Sequence, residues 1–293
     1  MMIKEKETLL QNMAFMGIMA ALNVLLATLG AYFPIAGIFI MIFLPFFSAV
    51  TALICKWRYY PIYAIATIGV SLCATLWHTE FTIFYLIPSV LTGFLFGLCF
   101  RLKLSGTYSL LFTSLAQLSL TYLAIPIIQA IYGTNLIETF LVLLQLDGNK
   151  NALIIVPSFI YLLSLAQMLL SYIVLSNEIK KFTDDTFNQN DALIKCIGLG
   201  LAILVIPFLF GFVNISYLLM FVSLFISISV LIDTIFKKDK LEIILYSTFL
   251  AFGFLLVFAL YSVVKMPYAF LLINTSNILL FTFSLLYNLK RER

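Results

Sequence analysis

Residues 13–54 read MAFMGIMAALNVLLATLGAYFPIAGIFIMIFLPFFSAVTALI, a run of 42 positions without one charged side chain. A helix rises about 1.5 Å per residue, so about 20 residues cross the hydrocarbon of a bilayer. The run is twice what one crossing needs. AYFPIAG sets Pro34 and Gly37 near its middle, the residue types that a turn requires. Two helices are therefore expected, over 13–32 and 37–55. MMIKEKETLLQN ahead of the run has the outline of a secretory signal. The apolar part is too long for one, and no small-residue cleavage site precedes Tyr32, so an uncleaved first span is expected.

The rest of the chain has the same character. Of its 293 residues 63% are hydrophobic and 10% are charged, against about a quarter charged in a soluble domain. So few charges cannot cover a water-exposed surface. The expected fold class is all-α, a polytopic transmembrane helical bundle in a bacterial plasma membrane. The net charge of +4 reports topology in this class, and no nucleic-acid partner is expected. Cys55, Cys73, Cys99 and Cys196 have no paired spacing, lie in or beside apolar runs and read as small packing residues.

Further spans are expected over 61–77, 82–100, 107–131 and 152–176, separated by CKWRYYP, LWHTEF and RLKLSG. Residues 132–151 hold an apolar stretch too short to cross and read as an interfacial or re-entrant helix. NEIKKFTDDTFNQND is the longest polar stretch and the natural boundary. Beyond it, 192–236 holds two spans divided near Pro207 to Asn214, and 241–288 holds two divided at KMP, Lys265 to Pro267. The total is about ten spans, with eight or nine as alternatives. The chain is thus divided into a six-helix bundle over 1–176, a polar loop over 177–191 and a further bundle over 192–293.

Cytoplasmic loops collect Lys and Arg. With the N-terminus inside, Lys4, Lys6, Lys56, Arg58, Arg101, Lys103, Lys180, Lys181, Lys195, Lys237, Lys238, Lys240, Lys290, Arg291 and Arg293 fall on inner segments. Only Lys150 and Lys265 fall outside. Both termini are then cytoplasmic, and LWHTEF, residues 76–81, faces outward.

No phosphate-binding loop, dinucleotide glycine pattern or HExxH occurs, and with a single histidine no multi-histidine metal site exists. No catalytic set converges, so the chain is not read as an enzyme, and no cofactor or metal is expected. Trp77, His78 and Glu80 form the sharpest outward group, and they fit the polar and aromatic edge of a small-molecule site. They also fit an interfacial tryptophan anchor followed by a hydrated turn. Tyr85 and Gln129 are further candidates for such a pocket, with Asn135, Glu138 and Asp147 beside them. Asn23, Gln117, Gln167, Asn214, Asn274 and Asn277 sit in or next to apolar runs, where amides face protein or a hydrated cavity. Hydrogen bonding between helices is the general reading for them. Ala14, Gly17 and Ala21 share one stripe of the first span, Ala20 belongs to the neighbouring stripe, and Gly93 and Gly97 form a GxxxG. Such positions let helices approach closely, within this protein or with a separate membrane subunit.

AFMGIMAALNVLLATLG, YFPIAG, LPFFSAVTALI and YLIPSVLTGFLFGLCFR before a basic loop resemble the S components of energy-coupling-factor vitamin transporters. The resemblance covers the first 176 residues. It implies six helices with both ends inside and a ligand pocket that opens outward. It also implies small residues on the first helix (here Ala14, Gly17, Ala20 and Ala21) that meet a transmembrane coupling subunit driven by ATPases. An ordinary S component ends after six spans, and this chain adds about four. In length it is similar to the YybS-like family of Gram-positive membrane proteins, whose N-terminal part is similar to S components. The expectation is a solute-binding transport protein whose pocket uses Trp77, His78, Glu80, Tyr85 and Gln129. The alternative is a non-transporting envelope scaffold that docks partners on 177–191.

Overall fold

The computed structural model describes residues 6–133, 135–143, 150–180, 191–237, 240–264 and 269–291. Lys4, Asp147, Lys181, Lys238, Lys265, Arg293 and most of the polar loop lie outside these. Every regular element among the described residues is a helix: α1 Leu9–Tyr32, α2 Pro34–Ile54, α3 Tyr60–Ala74, α4 Leu76–Arg101, α5 Gly106–Tyr132, α6 Leu136–Leu143, α7 Lys150–Lys180, α8 Asp191–Phe208, α9 Val213–Lys237, α10 Lys240–Val264 and α11 Ile273–Arg291. Among the described residues, five stretches are long and apolar enough to cross a membrane: α1, α4, α5, Val156–Leu175 of α7 and Val213–Ile232 of α9. Between two membrane faces a helix satisfies its own backbone, which is why so apolar a chain takes this form throughout.

The 42-residue run breaks at Phe33, one residue before Pro34, which suits the first turn of a helix because its φ is preset and it leaves no N–H unpaired there. Thr8 opens α1 with a reciprocal capping box: its hydroxyl accepts from the Gln11 amide, and Gln11 reaches back to the Thr8 amide. Gly133 ends α5 in the left-handed conformation at φ 68°, its N–H donating to the Gln129 carbonyl. The expected interfacial segment contains the eight-residue α6, which is far too short to cross. Asn135 caps it by accepting from the Ile137 and Glu138 amides at 3.2 and 3.4 Å.

The helices gather into two compact units, Met1–Asp147 with Ile160–Asn188, and Gly148–Phe159 with Gln189–Arg293. In the first, α2 lies between α1 and α4, with α3 against α1 and α5 against α4. Its core holds Met16, Ala27, Leu44, Tyr60, Tyr63, Leu86 and Val90. The α2–α4 seam is held close by glycine. A Cβ on Gly93 would overlap Ser48 and stand 2.8 Å from the Pro45 carbonyl, and one on Gly97 would stand 2.6 Å from the Ala52 methyl. The GxxxG is therefore used inside the unit. In the second unit α8 packs on α9 and α11, and α10 packs on α11, around Val205, Tyr217, Met220, Val257 and Ile273.

Amides and hydroxyls tie the first unit together. The Asn23 amide donates to the Ser48 hydroxyl at 3.0 Å and to the Tyr63 hydroxyl at 2.7 Å, linking α1, α2 and α3. Thr92 donates to Gln117, which donates to Gln167, which donates to Ser89, at 2.8, 3.2 and 3.1 Å, linking α4, α5 and α7. In the second unit Asn277 accepts from Ser227 and Asn274 donates to the Ala202 carbonyl. Five of the amides read from the sequence are thus buried interhelical links. Gln129 and Asn214 are exposed instead.

Candidate functional site

The first unit has two chemically different ends. At one, α1 begins, α2 and α4 finish, and α3 and α5 begin; the basic residues Lys6, Lys56, Arg58, Arg101 and Lys103 lie there. At the other, α1 and α5 finish with Tyr32 and Tyr132, and α4 begins within LWHTEF, residues 76–81.

That motif is folded differently from a loop between spans. After α3 ends at Ala74, only Thr75 precedes helical backbone. Leu76–His78 form a 3₁₀ turn, Thr79–Phe81 an α turn and Thr82–Leu86 a π turn, before regular helix from Ile87. Pro88 gives the physical reason. It brings no N–H, and its ring crowds the carbonyl four residues back, so the turn before it widens. The widened turn is pinned by the Thr82 hydroxyl, which lies 3.0 Å from the Ser71 hydroxyl on α3 and 2.8 Å from that of Thr75 just after it. All three are fully buried.

On this base His78 and Glu80 meet, with Nδ1 to Oε1 at 3.2 Å. Both are half-exposed, at 46% and 40% of the side chain. The Tyr32 ring stands edge-on to His78 with centroids 5.2 Å apart. The Thr79 hydroxyl meets the Tyr132 hydroxyl. The ends of α1 and α5 thus close on the head of α4. The result is a hydrogen-bonded His78–Glu80 pair and two phenols at one end of an apolar bundle, able to offer donors, acceptors and an aromatic edge to one small polar ligand.

The sequence-derived candidates divide accordingly. His78 and Glu80 come together. Trp77 is 84% exposed and points away from the packed unit, as an interfacial anchor does. Tyr85 is partly buried and packs against the core, its ring centroid 4.8 Å from that of Phe81 and 4.9 Å from that of Phe84. Its sequence position one turn into the span did not distinguish a pocket wall from packing. Gln129 is exposed one turn before Tyr132. Tyr32 and Tyr132 were missed, and only their place as the last residues of two apolar runs could have marked them. Gly30 was also missed. A Cβ there would overlap the Phe81 ring, so this glycine lets α4 close against α1.

The small stripe on α1 has the opposite environment to Gly93 and Gly97. Ala14, Gly17 and Ala21 are exposed, Ala20 is partly covered, and a Cβ on Gly17 would meet nothing within 4 Å. Comparison with family models, with curated proteins and with solved structures finds no match for this chain.

Proposed function

We propose that this chain is an integral membrane solute-binding protein, similar in plan to an S component, that captures a small polar molecule from outside and relies on a separate ATPase module for energy. The reading has ten spans with both termini cytoplasmic. The observation that carries it is the convergence of Tyr32, His78, Glu80 and Tyr132 from three helices at the end of the unit opposite its basic residues. An apolar bundle with a few placed polar groups is what a small-molecule site needs. His78 and Glu80 provide hydrogen-bond donors and acceptors, Tyr32 an aromatic edge, and Tyr132 with Thr79 a hydroxyl rim. Gln129 and Trp77 flank this rim. The uncovered α1 face of Ala14, Gly17 and Ala21, with Ala20 at its border, is where a transmembrane coupling subunit would dock.

A thermal-shift screen of the detergent-purified full chain against vitamins, nucleobases and metal ions tests this reading. One ligand class should raise the melting temperature, and His78→Ala or Glu80→Ala should remove the rise. Copurification should recover a membrane subunit and an ATPase, and Gly17→Leu should release them without unfolding the chain. A screen with no stabilising ligand, together with copurification that yields no ATPase, would defeat the proposal.

A further inference from the structure

We propose that the basic end of the first unit is a binding site for the phosphate headgroup of an anionic phospholipid. The distinguishing feature is how closely three separate segments are tied together there. The Lys6 amide donates to the Ile54 carbonyl at 3.1 Å. The fully buried Asn12 donates to the Lys6 and Thr8 carbonyls, both at 2.8 Å, and accepts from the Lys56 amide at 2.9 Å. Lys56 Nζ donates to the Glu7 carbonyl at 3.0 Å. The Arg101 guanidinium donates to the Leu53 and Cys55 carbonyls at 3.1 and 2.5 Å. The segment before α1, the α2–α3 link and the end of α4 therefore form one knot. It concentrates Lys6, Lys56, Arg58, Arg101 and Lys103 in one place.

Two further observations point to lipid rather than to a soluble anion. The cations are bordered by large exposed apolar side chains: Leu10 at 80%, Trp57 at 64% and Leu102 at 62% exposure. Such groups are stable against acyl chains and interfacial carbonyls, with the charges at headgroup level. Lys103 also holds the left-handed conformation at φ 55°. Its N–H donates to Phe100, and the Leu104 N–H to Cys99, the two bonds that close a helix end where glycine is the strain-free residue. A lysine at this position places an exposed cation beside the knot at the expense of backbone strain. Basic residues next to a membrane attract anionic lipid, and the attraction falls with salt.

The inference requires membrane embedding but not solute capture, so it stands or falls separately from the transport reading. The full chain is reconstituted in nanodiscs of phosphatidylcholine alone or with phosphatidylglycerol, and its melting temperature is followed. Phosphatidylglycerol should raise it by several degrees at low salt, and the rise should shrink at high salt. Lys6→Gln/Arg58→Gln/Lys103→Gly should lose the rise while melting near wild type in phosphatidylcholine, because the Lys56 and Arg101 bonds to backbone carbonyls are kept and glycine relieves position 103. Inorganic phosphate added to phosphatidylcholine discs should not reproduce the effect. Equal melting in both lipids, an undiminished rise in the triple variant, or full reproduction by free phosphate would each overturn the proposal.

Discussion

Gly17 and Gly93 are both glycines inside apolar helices, yet the structure assigns them opposite tolerances. Consider leucine placed at each. The gain in helix propensity over glycine, about 1 kcal/mol, is common to both and cancels in the comparison. What remains is space. Around Gly17 a Cβ has no neighbour within 4 Å. At Gly93 the same atom would overlap the Ser48 side chain and stand 2.8 Å from the Pro45 oxygen and 3.1 Å from the Ala49 nitrogen. Carbon–carbon contacts normally lie at about 3.5–4.0 Å and the new Cβ would overlap that of Ser48, so α4 would have to withdraw from α2 by about 1 Å or more before the rest of the leucine is placed. Pro45 and Ala49 contribute backbone atoms, which cannot rotate aside. Withdrawal would also loosen Gly97 from Ala52 and disturb Ser48, which holds Asn23 and Tyr63. Overpacking of this kind costs about 1–3 kcal/mol, and more where backbone must move. At about 2–4 °C per kcal/mol for a unit of this size, Gly93→Leu should melt about 2–12 °C below Gly17→Leu in detergent. Gly17→Leu itself should melt at or above wild type. Equal melting of the two variants, or a large loss for Gly17→Leu, would show that the α2–α4 contact and the open α1 face are wrongly drawn.

Arg101→Gln should destabilise the first unit by about 2–3 kcal/mol, the worth of its charged hydrogen bonds to the end of α2, and Arg101→Lys should recover part of this in chemical denaturation. Asn23→Leu should cost about 1–2 kcal/mol, because interhelical hydrogen bonds in membranes are individually modest; a cycle with Tyr63→Phe should show coupling of about 0.5–1.5 kcal/mol, and additive effects would dissociate the pair. For topology, single cysteines at 79 and 103 in a chain lacking its four native ones should label from opposite sides, with only position 79 open to an impermeant reagent. Labelling of 103 alone would invert the orientation.

Composition and punctuation carried much of this molecule. A run of 42 uncharged, mostly apolar residues interrupted by Pro34 can only be helical in lipid, where unpaired backbone is prohibitive, and the second helix begins at that proline. Polar residues inside such runs had to find partners, and Asn23, Gln117, Gln167, Asn274 and Asn277 did. Which partners they found depends on helix rotation and neighbour choice, so Asn23 with Tyr63 was not legible in one dimension. The same limit applies to the site. His78 and Glu80 were visible because they lie two residues apart in sequence, whereas Tyr32 reaches His78, and Tyr132 the neighbouring Thr79, only because α1 and α5 end at the same level. Tyr85 and Gln129 show the converse, since nearness along the chain said nothing about which way each side chain turns once Pro88 has widened the helix. Small residues were recognisable as permission for close approach. Only packing separated Gly93, filled by α2, from Gly17, left open, because the same residue on the same kind of helix takes its meaning from what lies opposite.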